Sequence, residues 1–210
     1  MLKRLIVLSF VALGTATFAH ADSISGYFSA VGTDSFTPST ITFSGSSVAG
    51  AVGGTFASYL TDGNPITFLA GALPYSNGLN TPPLALFPSG VVPIFTTTEN
   101  GETFTFNMTN YTAGYINNGT NGCTSGSTCL DVTGNGFFTG SGALTGTSGP
   151  ATFSFTSQYV AGQPLGSVTT FSASTAAAAA PTPVPEPSAL ALLGTGILGV
   201  VGIARRRFNV

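Results

Sequence analysis

Runs in which apolar and polar residues alternate one by one recur throughout the middle of this chain. In Thr103–Met108 the alternation places Phe104, Phe106 and Met108 on one face and hydroxyl or amide side chains on the other. A period of two residues is typical of a β-strand with one buried face, and aromatic side chains favour such a surface. The pattern recurs at Ile41–Phe43, Ile66–Phe68 and Thr152–Thr156. These runs predict an all-β domain.

Turn-forming dipeptides separate the predicted strands. They include Asn77-Gly78, Asn100-Gly101, Asn118-Gly119 and Asn135-Gly136. About nine or ten short strands with one apolar face each predict an antiparallel β-sandwich of jelly-roll or immunoglobulin-like arrangement, with a flattened barrel as the alternative. The predicted domain covers residues 22–173. Within it, the proline-rich segment 73–93 is predicted to be a long loop, because prolines cannot serve central strands.

Basic side chains are confined to the two ends of the chain. They are Lys3, Arg4, Arg205, Arg206 and Arg207, and the single histidine is His20. Residues 22–187 therefore contain no base and seven acids, a formal charge of −7. This composition excludes a histidine general base, a Ser-His-Asp triad and a Schiff-base lysine. It also leaves nothing to neutralise a nucleic-acid backbone, so we expect no nucleic-acid partner and no cofactor.

One catalytic pattern survives this composition, a pair of carboxylates such as glycoside hydrolases use. Glu99 and Glu102 are three residues apart, but Asn100-Gly101 between them predicts a turn that joins two strands. The two side chains are therefore expected at a solvated hairpin end. The chain is predicted not to be an enzyme, and a hydrolase remains the last alternative.

Two cysteines and two acidic turns are the candidate ligand sites of the chain. Cys123 and Cys129 enclose five residues, and in an exported chain with no further cysteine they predict one disulfide. Asp62 and Asp131 each begin an oxygen-rich run that resembles part of a calcium loop. Calcium needs six to eight oxygen ligands, and neither run continues with another acid, so a turn is the preferred interpretation and no metal residue is assigned.

Six tyrosines raise the alternative of a carbohydrate-stacking platform, although packing against the strands is the preferred interpretation. They are Tyr27, Tyr59, Tyr75, Tyr111, Tyr115 and Tyr159.

The amino-terminal segment 1–21 has the features of a secretory signal peptide. Lys3 and Arg4 precede an apolar core, and Ala19 and Ala21 flank a small-x-small cleavage site. The mature chain is therefore expected to begin at Asp22 and to fold outside the cytoplasm.

The carboxyl-terminal end has three parts in a specific order. An Ala- and Pro-rich linker, 174–187, ends in the tetrapeptide Val184, Pro185, Glu186 and Pro187. An apolar stretch follows, and then the arginines Arg205, Arg206 and Arg207. Residues 188–210 are predicted to form a transmembrane helix with a basic cytoplasmic end, because Lys and Arg resist translocation.

This tail resembles the PEP-CTERM sorting signal of Gram-negative bacteria over about residues 184–207. The resemblance implies an exosortase-type processing enzyme as a partner, anchoring in the inner membrane before processing, and delivery to the cell surface or the extracellular polysaccharide matrix. The predicted function is an exported structural protein without catalytic activity. The alternative is a carbohydrate- or calcium-binding adhesion module on the same domain.

Overall fold

The computed structural model describes residues 23–69, 71–75, 91–117, 123–142, 144–160 and 162–181, and positions 194, 196, 197, 199, 200 and 203–207 of the tail. Within these residues, ten strands and one 3-10 helix (Thr55–Ser58) belong to a compact unit that ends at Ala180. The strands are β1 (Gly26–Phe36), β2 (Thr40–Gly54), β3 (Pro65–Phe68), β4 (Leu73–Pro74), β5 (Val92–Glu99), β6 (Glu102–Asn117), β7 (Thr128–Ser141), β8 (Gly146–Thr147), β9 (Ala151–Tyr159) and β10 (Thr169–Ala177).

Eight of these strands form a closed antiparallel barrel. Their order is β1-β10-β9-β7-β6-β5-β3-β2, and the ring closes because β2 also pairs with β1. The two shortest strands lie beside the ring, where β4 pairs with β2 and β8 pairs with β7. Closure leaves the eight strands without a long free edge.

The predicted β-sandwich is therefore wrong, although the chain is all-β and antiparallel. Alternation along a strand shows that one face is buried, but it does not show whether that face meets a second sheet or the far wall of its own sheet. Here β1 pairs with β10 on one side and β2 on the other, and this double pairing makes one barrel.

Bulges adjust which residues point inward as the strands curve round the barrel. In β6 the buried positions are Phe104, Phe106 and Met108 before an irregularity, and Tyr111, Ala113 and Tyr115 after it. Opposite this bulge stands Gly136, where an added Cβ would lie 2.0 Å from the Asn107 carbonyl oxygen. The glycine thus permits the close approach of β6 and β7.

Phenylalanine dominates the barrel interior. Twelve of the thirteen phenylalanines in the described residues contact another aromatic ring. Phe138 is fully buried, and its ring lies 5.0 Å from that of Phe56, 5.1 Å from Phe106 and 6.0 Å from Phe28. Edge-on and tilted contacts of this kind stabilise a core beyond simple area burial.

The turn predicted at Asn100-Gly101 is present between β5 and β6. Both residues have positive φ, 52° and 79°, as a type I′ turn requires, and this turn matches the twist of the flanking strands.

At one end of the barrel the Tyr159 hydroxyl holds the end of β1. It donates to the Phe36 carbonyl at 2.8 Å and accepts from the amides of Phe36 and Gly166 at 2.7 and 3.1 Å. The substitution Tyr159→Phe should cost about 2 kcal/mol of folding free energy, because it removes the acceptor of the buried Phe36 amide, whereas the Phe36 carbonyl keeps the Gly166 amide as a donor. Urea denaturation measures this, and an unchanged midpoint would contradict the assignment.

Two predicted segments differ in extent from the sequence interpretation. Most of the predicted loop 73–93 falls on residues 76–90, outside the described residues, while Leu73–Pro74 forms β4 and Pro93 lies at a bulge in β5. The predicted linker starts at residue 174, but β10 continues to Ala177.

The second compact unit covers Pro181–Val210. Its described residues are helical at 194, 196, 197, 199, 200 and 203–207. Across the described part of the chain, no helix has the length and apolar character needed to cross a bilayer. The prediction of a transmembrane helix over 188–210 is corrected to that extent; the apolar stretch is about sixteen residues long, against the roughly twenty of a typical spanning helix, and much of it lies outside the described residues.

Candidate functional site

The carboxylate pair considered for hydrolysis lies at one end of the barrel. Glu99 and Glu102 face each other across β5 and β6. Glu99 accepts from the Thr61 amide at 2.7 Å and from its hydroxyl at 2.6 Å. Glu102 is fully buried and accepts from the Leu144 amide at 2.8 Å. The expectation of a solvated pair is thus wrong for Glu102, and both carboxylates tie loops to the barrel.

A second buried acid, Asp34, lies inside the barrel wall on β1. It is 0% exposed, and its Oδ1 accepts from the Ser157 hydroxyl at 2.7 Å while Oδ2 has no hydrogen-bond partner. Burial raises the pKa of Asp34 to about 6, and the hydrogen bond from Ser157 offsets part of that rise. With no basic residue in 22–187 to pair with it, the buried carboxyl group favours its neutral form and is mostly protonated below about pH 6.

Four tyrosines are buried rather than exposed for stacking: Tyr75, Tyr111, Tyr115 and Tyr159. The Tyr75 hydroxyl donates to the Thr37 carbonyl. Burial raises the pKa of Tyr75, with smaller contributions from the neighbouring tyrosines, and raises that of Tyr111 to about 12. These rings are structural, as the sequence interpretation preferred. Tyr27 differs, since 53% of it is exposed on the outer face of β1.

The outer face of the barrel carries a hollow that we call the trough, with a volume of about 1020 Å³. It crosses β2, β1, β10, β9 and β7, and half of the residues that line it are Ser, Thr or Gln. They include Thr33, Ser47, Thr156, Gln158, Thr170 and Ser172. Asp131 is its one carboxylate, and the remaining residues, among them the exposed Val31 and the edge of Phe171, make more of its surface apolar than polar. The trough offers hydroxyl and amide groups for hydrogen bonding, without a cation to attract an anion.

The two candidate calcium ligands, Asp62 and Asp131, lie in different parts of the barrel. Asp62 accepts from the Gly50 amide at 3.0 Å, which ties a turn to β2. Asp131 lies exposed on β7, opposite Thr156 of β9. Among the described residues, no three acidic, histidine or cysteine side chains are grouped as metal ligands.

Cys123 and Cys129 form a disulfide with a Cα–Cα distance of 5.8 Å. The bond connects the start of β7 to the segment before it, and both residues contribute to the rim of the trough. It thereby limits the movement of one wall of that hollow.

The processing segments fall largely outside the described residues. The cleavage residues Ala19 and Ala21 lie outside the described residues, and so does the motif 184–187. Arg205, Arg206 and Arg207 lie in a helix with exposed side chains.

Comparison with known proteins identifies the tail. Residues 183–207 match the PEP-CTERM protein-sorting motif. The motif implies an exported protein with a membrane-anchored carboxyl-terminal sorting tail that exosortase processes. No curated protein and no solved structure matches the chain.

Sequence reasoning missed the burial of Asp34 and Glu102. Asp34 is separated from Phe28, Ala30 and Phe36 by an even number of positions along β1, so it lies on the same buried face. The period-two pattern of the sequence therefore contains the signal that places this acid on the inner face.

Proposed function

We propose that the protein is an exported structural component of the cell surface or extracellular matrix, without catalytic activity. The observation that carries this proposal is a sorting motif joined to a barrel with a phenylalanine-filled interior and no Lys, Arg or His in residues 22–187. Among the five acids in the described residues, Asp62, Glu99 and Glu102 hold loops or turns in place. Closed strands also resist uncontrolled edge-to-edge aggregation outside the cell.

A carbohydrate-binding module is the second candidate. The trough supports it, because its hydroxyl and amide side chains offer both donors and acceptors on an open surface. Extracellular polysaccharide is the partner that fits this chemistry and the proposed location.

The sorting step is tested by replacing Pro185, Glu186 and Pro187 with alanine in the full chain. In a host that contains exosortase, the unaltered chain should reach the surface or matrix fraction. The variant should accumulate in the membrane fraction, because the processing enzyme no longer recognises its tail. Cell fractionation followed by immunoblotting measures the distribution.

The matched control replaces with alanine Pro181 and Thr182, which lie in the same linker just before residue 183, where the match to the sorting motif begins. This variant should be sorted normally. If the triple alanine variant reached the surface as efficiently as the control, the proposed route through the tail would be refuted.

A further inference from the structure

Phe137 stands apart from every other phenylalanine in the described residues. It follows Gly136 on β7 and points away from the core, since its neighbour Phe138 points inward. The twelve others contact aromatic rings, whereas Phe137 has no ring contact within the described part of the chain. Its side chain is half-buried on the outer face of the barrel, so part of an apolar ring is accessible to a ligand from solvent.

The ring lines a cleft of about 520 Å³ between β7 and β9. Most of the surface of the cleft is apolar, with Pro150 and Ala151 beside the ring, and Thr109, Asn135, Thr147 and Thr152 contribute a smaller share of hydroxyl and amide groups. No lining residue of this cleft carries a charge at any pH. An aromatic face bordered by neutral donors and acceptors suits a sugar ring, whose C–H face is apolar and whose edge carries hydroxyls.

The cleft and the trough lie on the same outer face of β7 and β9. Thr133 and Ser154 are paired between them, and the Ser154 hydroxyl donates to that of Thr133 at 3.3 Å. From Phe137 to Asp131 the strand runs six residues, about 20 Å at the usual rise. A track of this length, with apolar surface and hydroxyl groups side by side, accommodates several sugar units in a row.

We propose that this track, from the Phe137 cleft along β7 and β9 to the trough, binds a neutral polysaccharide chain. The inference deepens the carbohydrate-binding candidate above and rests on it. Neutral glycans are favoured over anionic ones because the exported segment carries a formal charge of −7 and no cation. Phe137 stacks on one sugar ring, and the hydroxyl and amide side chains along the track bind its neighbours.

Isothermal titration of the full chain with cellohexaose and with maltohexaose tests the proposal, in a detergent without a sugar headgroup. At least one of the two should bind saturably, and the corresponding trisaccharide should bind more weakly because it cannot reach the trough. Phe137→Ala should weaken binding about tenfold, the order expected for losing a stacked aromatic contact at the site.

Tyr27→Ala is the matched control, because Tyr27 is an exposed aromatic on the outer face of β1, away from the cleft. It should bind as the unaltered chain does. The proposal is overturned if neither neutral hexasaccharide binds, if Phe137→Ala binds equally well, or if only an anionic oligoguluronate binds. Normal sorting of a chain that fails this test would leave the proposed surface role intact.

Discussion

Replacing Phe138 with alanine is expected to lower the free energy of unfolding by about 3–5 kcal/mol, the range for removing a large aromatic side chain from a core. The ring is fully buried and contacts Phe28, Phe56, Phe95 and Phe106. Its loss removes apolar contacts on several strands at once, and a closed barrel cannot collapse easily onto the cavity. Urea denaturation at neutral pH measures the change.

The adjacent Phe137→Ala is the control for this experiment, with the same chemical change on the opposite face of β7. We expect it to cost less than about 1 kcal/mol, since a half-buried side chain on the outer face lies away from the core and its loss leaves no internal cavity. Equal losses for the two variants would contradict the assignment of inner and outer faces. Retained stability of Phe137→Ala also ensures that its titration reports binding and not unfolding.

The strands could be predicted from the sequence because alternation and turn chemistry are local. Thr103–Met108 and Thr152–Thr156 lie in β6 and β9, and Asn100-Gly101 forms the turn between β5 and β6. Barrel closure could not be predicted in the same way. It depends on the pairing of β1 with β2 and β10, and the separation of partners such as Tyr27 and Ala176 along the chain leaves no local pattern.

The tail motif could be predicted because it is defined by the order of residues along the chain and not by a folded structure. Residues 183–207 match the sorting motif. The binding track was not predictable. Phe137 and Phe138 are chemically identical neighbours, and only the register of β7 decides which one faces outward. Thr133 and Ser154 are distant along the chain and become neighbours through the pairing of β7 with β9.

Asp34→Asn is expected to stabilise the protein at pH 8 by about 3 kcal/mol. This figure follows from the rise of the Asp34 pKa from 3.8 to about 6 on folding, because each pKa unit corresponds to about 1.36 kcal/mol. The folded state favours the protonated carboxyl, whose pKa is about 6, whereas the unfolded chain ionises near 3.8. The contribution of Asp34 to stability is therefore fully present below about pH 4 and is lost as the pH rises through 6. Asparagine is uncharged and can still accept a hydrogen bond from Ser157.

Urea denaturation of both proteins between pH 3.5 and 8 measures this difference, which should vanish at the acidic end and reach its full size above about pH 7. Asp131→Asn is the control, since it removes an acid that is exposed on β7 and should change stability by less than about 0.5 kcal/mol. A constant difference between Asp34→Asn and the unaltered chain across the whole range would show that Asp34 does not titrate in the barrel wall. The raised pKa that burial and the single hydrogen bond imply for Asp34 would then be wrong.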